Sequence, residues 1–166
     1  MVREKEAKAA SLIIVGIVIA LRFFEVSNGA VGLFPGNPFW TRFTYQFFHA
    51  SLLHCVVNCW CLLSIVFLYD VSWKTLLVAI IIAATYPIGK LSFLYETLVP
   101  TVGLSGMCYA LLGSLSFRVR RRLYFQGWMA AFIAAGFFFS GTNAWLHLYC
   151  YVLGVFVGFL NKPVKR

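Results

Sequence analysis

The sequence predicts an all-α, polytopic membrane protein folded as one bundle of six helical spans. Three observations carry this. Of the 166 residues, 61% are hydrophobic and 11% charged, against about 45–50% apolar and about 25% charged in ordinary soluble domains. Apolar runs recur along the whole chain. The basic residues stand at the ends of those runs rather than along one face. The length suits a single membrane domain over 1–166, with a short tail to about residue 10, a core over about 11–160 and a second tail over about 161–166.

The six spans are expected near 11–26, 47–69, 74–89, 102–117, 124–140 and 143–160. The first follows a charged start and looks at first like a secretory leader. Arg22-Phe23-Phe24 continues the segment and no small-x-small cleavage pattern follows, so an uncleaved first helix is expected. Several spans fall short of the roughly 20 residues a full crossing needs. Short spans imply local bilayer thinning or helices that stop inside the bundle. The fourth is the clearest case, because its glycine-rich start follows Pro100. Two connections are long. The first, Ser27 to Gln46, holds Gly29, Gly32, Pro35, Gly36, Pro38, Phe39 and Trp40, and is expected to fold in the outer headgroup region. The second runs from Lys90 to Thr101. No repeat of matched halves is visible, which argues against an inverted-repeat transporter.

The net charge of +9 is topological. With the N-terminus in the cytoplasm, eleven of the fourteen Lys and Arg residues lie inside: Arg3, Lys5, Lys8, Lys74, Arg118, Arg120, Arg121, Arg122, Lys162, Lys165 and Arg166. Arg42 and Lys90 lie outside and Arg22 sits in the first span. This bias predicts an even number of spans with both termini cytoplasmic, in a plasma or inner membrane. Trp40, Tyr45, Tyr95 and Trp145 fall near outer borders, and Tyr69, Trp73, Tyr124 and Trp128 near inner ones. The arginine run is therefore a cytoplasmic loop that meets anionic headgroups, and no nucleic-acid partner is expected. The five cysteines, Cys55, Cys59, Cys61, Cys108 and Cys150, all lie in apolar segments, unlike a secreted disulfide framework. Cys55 and Cys59 share a face beside His54, but no His/Cys pair recurs at ligand spacing, and neither a metal nor another cofactor is expected.

Polar groups in apolar spans are costly, and mark function or helix–helix bonds. His49, His54 and His147 all fall in the outer third of an expected span, and so does Ser105. At about 1.5 Å of rise per residue, Ser105 and His147 lie at a similar shallow depth, where water can reach from one side. A serine hydroxyl is a poor nucleophile until a base removes its proton, and a neutral imidazole is a suitable base. Asp70, Glu4, Glu6, Glu25 and Glu96 are not placed to complete a triad, so the pattern favours a Ser105–His147 dyad. Tyr109 lies one turn from Ser105 on the same face, where it can pack on the His147 ring. His54 and Asn58, four residues apart, share a face of the second span, and with the Ser105 N–H they are candidate oxyanion donors. Gly103 and Gly106 allow close approach around Ser105. Gly106 and Gly113, facing Cys150, Gly154 and Gly158, are small residues at helical spacing that let the fourth and sixth spans pack closely. Plain helix packing and interhelical hydrogen bonds are the blander account of these residues.

Gly103-Leu104-Ser105-Gly106, with Tyr109, Ala110, Leu111 and Gly113, resembles the G-x-S-G helix of the rhomboid intramembrane serine proteases. His49-Ala50-Ser51-Leu52-Leu53-His54-Cys55-Val56-Val57-Asn58 is similar to that family's H-x4-H-x3-N signature. Trp40-Thr41-Arg42 resembles the W-R region before it, and His147 followed by Gly154 resembles the last helix. The likeness covers roughly residues 40 to 160. It implies a six-helix rhomboid-like core, a dyad of Ser105 and His147, an oxyanion site at His54 and Asn58, and a supporting part for His49. Where the family commonly has small residues after the histidine and glycine three positions on, this sequence has Leu148, Tyr149 and Cys150.

The expected function is therefore intramembrane serine endopeptidase, cutting transmembrane protein substrates near the outer face. The aromatic stripe Phe125, Trp128, Phe132 and Phe139 is either a lipid-contact surface or, as the resemblance implies, part of a lateral gate. The alternative is a non-catalytic rhomboid-like adaptor that binds transmembrane helices. Both Ser105 and His147 being present favours the enzyme.

Overall fold

The computed structural model describes residues 2–88, 100–139 and 141–161. Lys90, Tyr95, Glu96, Lys162, Lys165 and Arg166 and nearly all of the Lys90–Thr101 connection lie outside these, as do the side chains of Arg3 and Glu4. The described residues form helices α1 (Val2–Arg22), α2 (Asn28–Val31), α3 (Thr41–Thr44), a 3-10 turn (Tyr45–Phe47), α4 (Leu52–Leu68), α5 (Trp73–Ala84), α6 (Ser105–Ser114), α7 (Arg122–Gly136) and α8 (Ala144–Leu160). One isolated antiparallel bridge, Leu33 with Thr101, joins the first long connection to the approach to α6.

Helix α6 occupies the centre. Gly106, Met107, Cys108, Ala110, Leu111 and Gly113 are all buried. Against it pack α8, α5 and α4, while α1 lies outside α4 and α5. The core joins Leu62, Ile65 and Val66 of α4, Leu76, Ala79 and Ala83 of α5, Met107, Leu111 and Leu115 around α6, and Leu146 and Cys150 of α8. Helix α7 docks mainly on α8, through a small satellite core of Met129, Ile133 and Tyr151. Of the expected stripe, Trp128 and Phe132 face outward at 50% and 58% exposure, Phe125 packs against the satellite core, and Phe139, 67% exposed, lies beyond the end of α7.

Among the described residues no single helix is both long and apolar enough to cross a bilayer. The charges of its first turns dilute α1. The 17 residues of α4 and of α8 give a rise of about 25 Å, short of the roughly 30 Å of hydrocarbon. Only Thr41–Phe47 with Leu52–Leu68 passes such a test jointly, and that pair is bent by 96°.

The bend corrects one expectation. The apolar run near 47–69 is not one helix. Ser51 adopts an extended conformation (φ −146°, ψ 163°) and its Oγ accepts from the His54 N–H, so α4 starts at Leu52. A serine oxygen that satisfies a first-turn N–H is a strong helix start. His49 therefore sits in the break before α4, not within a span helix. The stretch from Val2 to residue 10, expected as a tail, is helical, and Ala7 is fully buried.

The Ser27–Gln46 connection is folded. Asn37 Nδ2 donates to the Gly29 and Gly32 carbonyls at 2.8 and 2.9 Å. Arg42 donates to the carbonyls of Ala84 and Tyr86 at 3.3 and 2.7 Å, which ties α3 to the end of α5.

Candidate active site

The site is built where three elements meet: the approach to α6, the first turns of α4, and the first turn of α8. Gly103 has φ +119°, a conformation that L side chains avoid and glycine adopts freely. This turn lets the chain enter α6 with Ser105 as its first residue. The Gly103 N–H donates to the Tyr45 carbonyl at 3.0 Å. The Leu104 N–H donates to His49 Nε2 at 3.4 Å. The segment before the serine is thus held from two sides.

Helix α8 is started by Asn143, whose Oδ1 accepts from the Leu146 N–H at 3.0 Å. The same side chain donates through Nδ2 to Thr101 Oγ1 at 3.0 Å. One buried asparagine therefore caps the helix that carries His147 and fastens it to the segment leading to Ser105. His147 Nε2 lies 2.9 Å from Ser105 Oγ. The Tyr109 ring stacks on the His147 ring, with centroids 4.3 Å apart and planes 17° from parallel.

His54 and Asn58 approach the same turn. A Cβ on Gly103 would stand 2.9 Å from His54 Nε2 and 3.3 Å from Asn58 Nδ2. Both polar ends therefore lie against the residue two before Ser105. His49 packs edge-to-face on His54 at 5.0 Å.

The small residues let α6 and α8 touch backbone to backbone. A Cβ on Gly154 would collide with the Ala110 carbonyl, one on Gly158 with the Ser114 backbone, and one on Gly113 with the Tyr151 carbonyl and the Val155 nitrogen. Cys150 is fully buried, and its Sγ lies 3.4 Å from where a Gly106 Cβ would be. The Tyr45 hydroxyl and the Ala83 Cβ lie closer still, at 3.2 and 3.3 Å from that point, so Gly106 leaves space where α5, the 3-10 turn and the Cys150 thiol converge on α6.

Every candidate residue except Gly113 and Gly158, which lie deeper along the α6–α8 contact, is within about two turns of Ser105 or in the layer beside it. Three contributors were not singled out in the sequence. Asn143 had a readable signal, an asparagine before an apolar run. Tyr45 is fully buried, its hydroxyl donating to the Ala83 carbonyl at 3.1 Å and packing near Gly106. Thr101 is the third. Cys55 and Cys59 are buried, and among the described residues no group of three His, Cys, Asp or Glu side chains is arranged to hold a metal ion.

A serine oxygen in hydrogen-bond contact with an imidazole, beside clustered amide and imidazole donors, is the arrangement acyl transfer requires. The Rhomboid domain family model matches residues 36–163, most of the chain. The chain belongs to the rhomboid family, and is therefore an integral membrane protein. Members of this family are typically intramembrane serine proteases that act on transmembrane substrates, and the family also includes inactive members. No curated protein matches the chain.

Proposed function

We propose that this rhomboid protein is an active serine endopeptidase that cleaves transmembrane proteins near the outer membrane face through a Ser105–His147 dyad. The observation that carries the reading is the 2.9 Å contact between Ser105 Oγ and His147 Nε2. It lies within the reach a base needs to take the hydroxyl proton. In the proposed sequence, Ser105 Oγ attacks the scissile carbonyl carbon while His147 Nε2 takes its proton. The carbonyl oxygen becomes an oxyanion, held by the Ser105 N–H, His54 and Asn58. Collapse expels the amine, which receives the proton from His147, and leaves an acyl-enzyme ester. Water then adds with His147 again as base, and Ser105 is released.

Tyr109 holds the imidazole plane by stacking, and Asn143 fixes the helix that carries it. His49 supports the loop through Leu104. Six spans with both termini in the cytoplasm, in a plasma or inner membrane, complete the proposal; the basic-residue bias supports it. Substrates with helix-weakening residues near the cut are favoured, since their backbone must leave the helix in lipid.

The test is labelling of purified protein with a fluorophosphonate, which esterifies an activated serine. Wild type labels, whereas Ser105→Ala and His147→Ala do not. Labelling that survives Ser105→Ala points to another nucleophile. A wild type that fails to label, while still capturing transmembrane helices, is the non-catalytic adaptor.

A further inference from the structure

We propose that the C-terminal end of α5 is the anchor from which the serine turn and the histidine helix are both held, and that Tyr149 is the positioning residue that fastens the histidine helix to it. The inference rests on the Ser105–His147 reading above and adds to it the residue that aims the base.

The first observation is how the end of α5 is capped. The last carbonyls of a helix have no partner within it. Helix α5 closes at Thr85 with neither a glycine nor a left-handed residue (φ −86°, ψ 0°), and Pro87 prevents its continuing. The Thr85 N–H reaches back to the Ile81 and Ile82 carbonyls. The next four carbonyls, Ala83 to Tyr86, are each met by a side chain from a distant element. The Tyr45 hydroxyl donates to Ala83 at 3.1 Å. Arg42 Nη1 donates to Ala84 and Tyr86 at 3.3 and 2.7 Å. The Tyr149 hydroxyl donates to Thr85 at 3.2 Å. Thr85 Oγ1 gives its own proton to the Ile82 carbonyl at 2.8 Å. The Tyr149 proton is therefore shared between the Thr85 carbonyl and Oγ1, which is also 3.2 Å away. The Tyr149 ring meets that of Tyr86 edge-on, with centroids 5.5 Å apart.

The second observation is where these donors lead. The Tyr45 carbonyl holds the Gly103 N–H at 3.0 Å, two residues before Ser105. Tyr149 stands two residues after His147. At 3.6 residues per turn the two side chains leave α8 about 200° apart, His147 towards Ser105 and Tyr149 towards α5. Asn143 fixes the start of α8. A second tie on the face away from the imidazole stops the helix from rolling and carrying His147 Nε2 off the hydroxyl. Tyr149 thus gains a use at a place where the family commonly has a small residue.

The test is Tyr149→Phe in the full chain in detergent, which removes one hydroxyl and keeps the ring. Fluorophosphonate labelling is followed at a temperature where variant and wild type are both fully folded by circular dichroism. The limiting rate at saturating probe falls about fivefold, the loss of about one net hydrogen bond. The half-saturating probe concentration and the midpoint of the pH–rate profile stay at their wild-type values, because the imidazole is misaimed rather than rehydrated. Tyr69→Phe, just past the C-terminal end of α4, labels as wild type. Hydrogen exchange read by mass spectrometry needs no activity: in Tyr149→Phe the first turns of α8 exchange faster and α4 does not. A wild-type labelling rate in Tyr149→Phe overturns the proposal, as do a shifted pH midpoint, an equal loss in Tyr69→Phe, or unaltered exchange in α8. Labelling that survives Ser105→Ala removes the dyad reading instead. If the wild type does not label at all, that reading falls and the exchange in α8 alone decides whether Tyr149 is the fastener.

Discussion

His54 and Asn58 meet Gly103 because one turn of α4 stacks them on a single face. In the proposed mechanism each donates to the oxyanion, a charge that exists only after attack. Removing such a donor lowers the chemical step rather than binding. Asn58→Ala and His54→Ala should therefore each reduce kcat by about 10²–10³-fold, with KM nearly unchanged. Steady-state kinetics on a transmembrane substrate checks this, and a change confined to KM contradicts the donor role. The four-residue spacing that aligns the pair is visible in the sequence, as is the turn between Ser105 and Tyr109. The position of His49 is not. Its surroundings are apolar on both sides, and only the conformation of Ser51 decides that the helix begins after it. Tyr45 was hidden for another reason. It is one aromatic among several in its connection, and its importance comes from a carbonyl and a hydroxyl that face distant residues, Gly103 and Ala83.

At the scale of elements, the α6–α8 contact depends on missing side chains. Gly154 lies so close to Ala110 that a methyl group would enter the carbonyl oxygen's space. Gly154→Ala should destabilise the protein by about 1–3 kcal/mol, the usual cost of overpacking, and lower Tm in detergent. Gly127 is the control. It is also within a helix, but a Cβ there would meet nothing within 4 Å. Gly127→Ala should leave Tm unchanged or raise it slightly, because alanine favours the helix by about 0.5–1 kcal/mol. A matching fall in both variants would mean that the backbone contact at Gly154 does not set the result. The helical spacing of these small residues announced a close approach. What surrounds Gly106 was not legible, since it depends on Tyr45, Ala83 and Cys150 converging there from distant parts of the chain.

For the molecule as a whole, α7 is the loosely held element. Beyond its satellite core it is fastened by the Tyr151 hydroxyl, which donates to Gln126 Oε1 at 2.6 Å. If α7 moves aside to admit a substrate helix, Tyr151→Phe should speed cleavage of transmembrane substrates severalfold, on the order of the loss of one hydrogen bond. Fluorophosphonate labelling, which needs no such entry, should stay at the wild-type rate. Equal acceleration of both would place the effect in the chemistry. The all-helical class and the polar cluster at one end of the bundle were readable from hydropathy, whereas the peripheral docking of α7 was not. Its outward aromatics carry the same helical period that an inward face would show.

The ten residues of α6 have a further consequence. They span about 15 Å, half the hydrocarbon thickness, so α6 gains little from lipid while the chain is being made. It must be recruited by neighbours, and the broadest of these, α8, follows it in the chain. In a nascent chain ending at residue 139, a cysteine substituted for Ala110, which is 1% exposed and set against Gly154 of α8 in the finished fold, should therefore be open to a maleimide that cannot reach it once α8 is in place. Mass spectrometry that finds Ala110→Cys equally shielded in both would mean that α6 settles before α8 arrives. On the order described here, the proposed dyad stays unassembled until α8 has been made, and the direction of synthesis itself delays the onset of any activity.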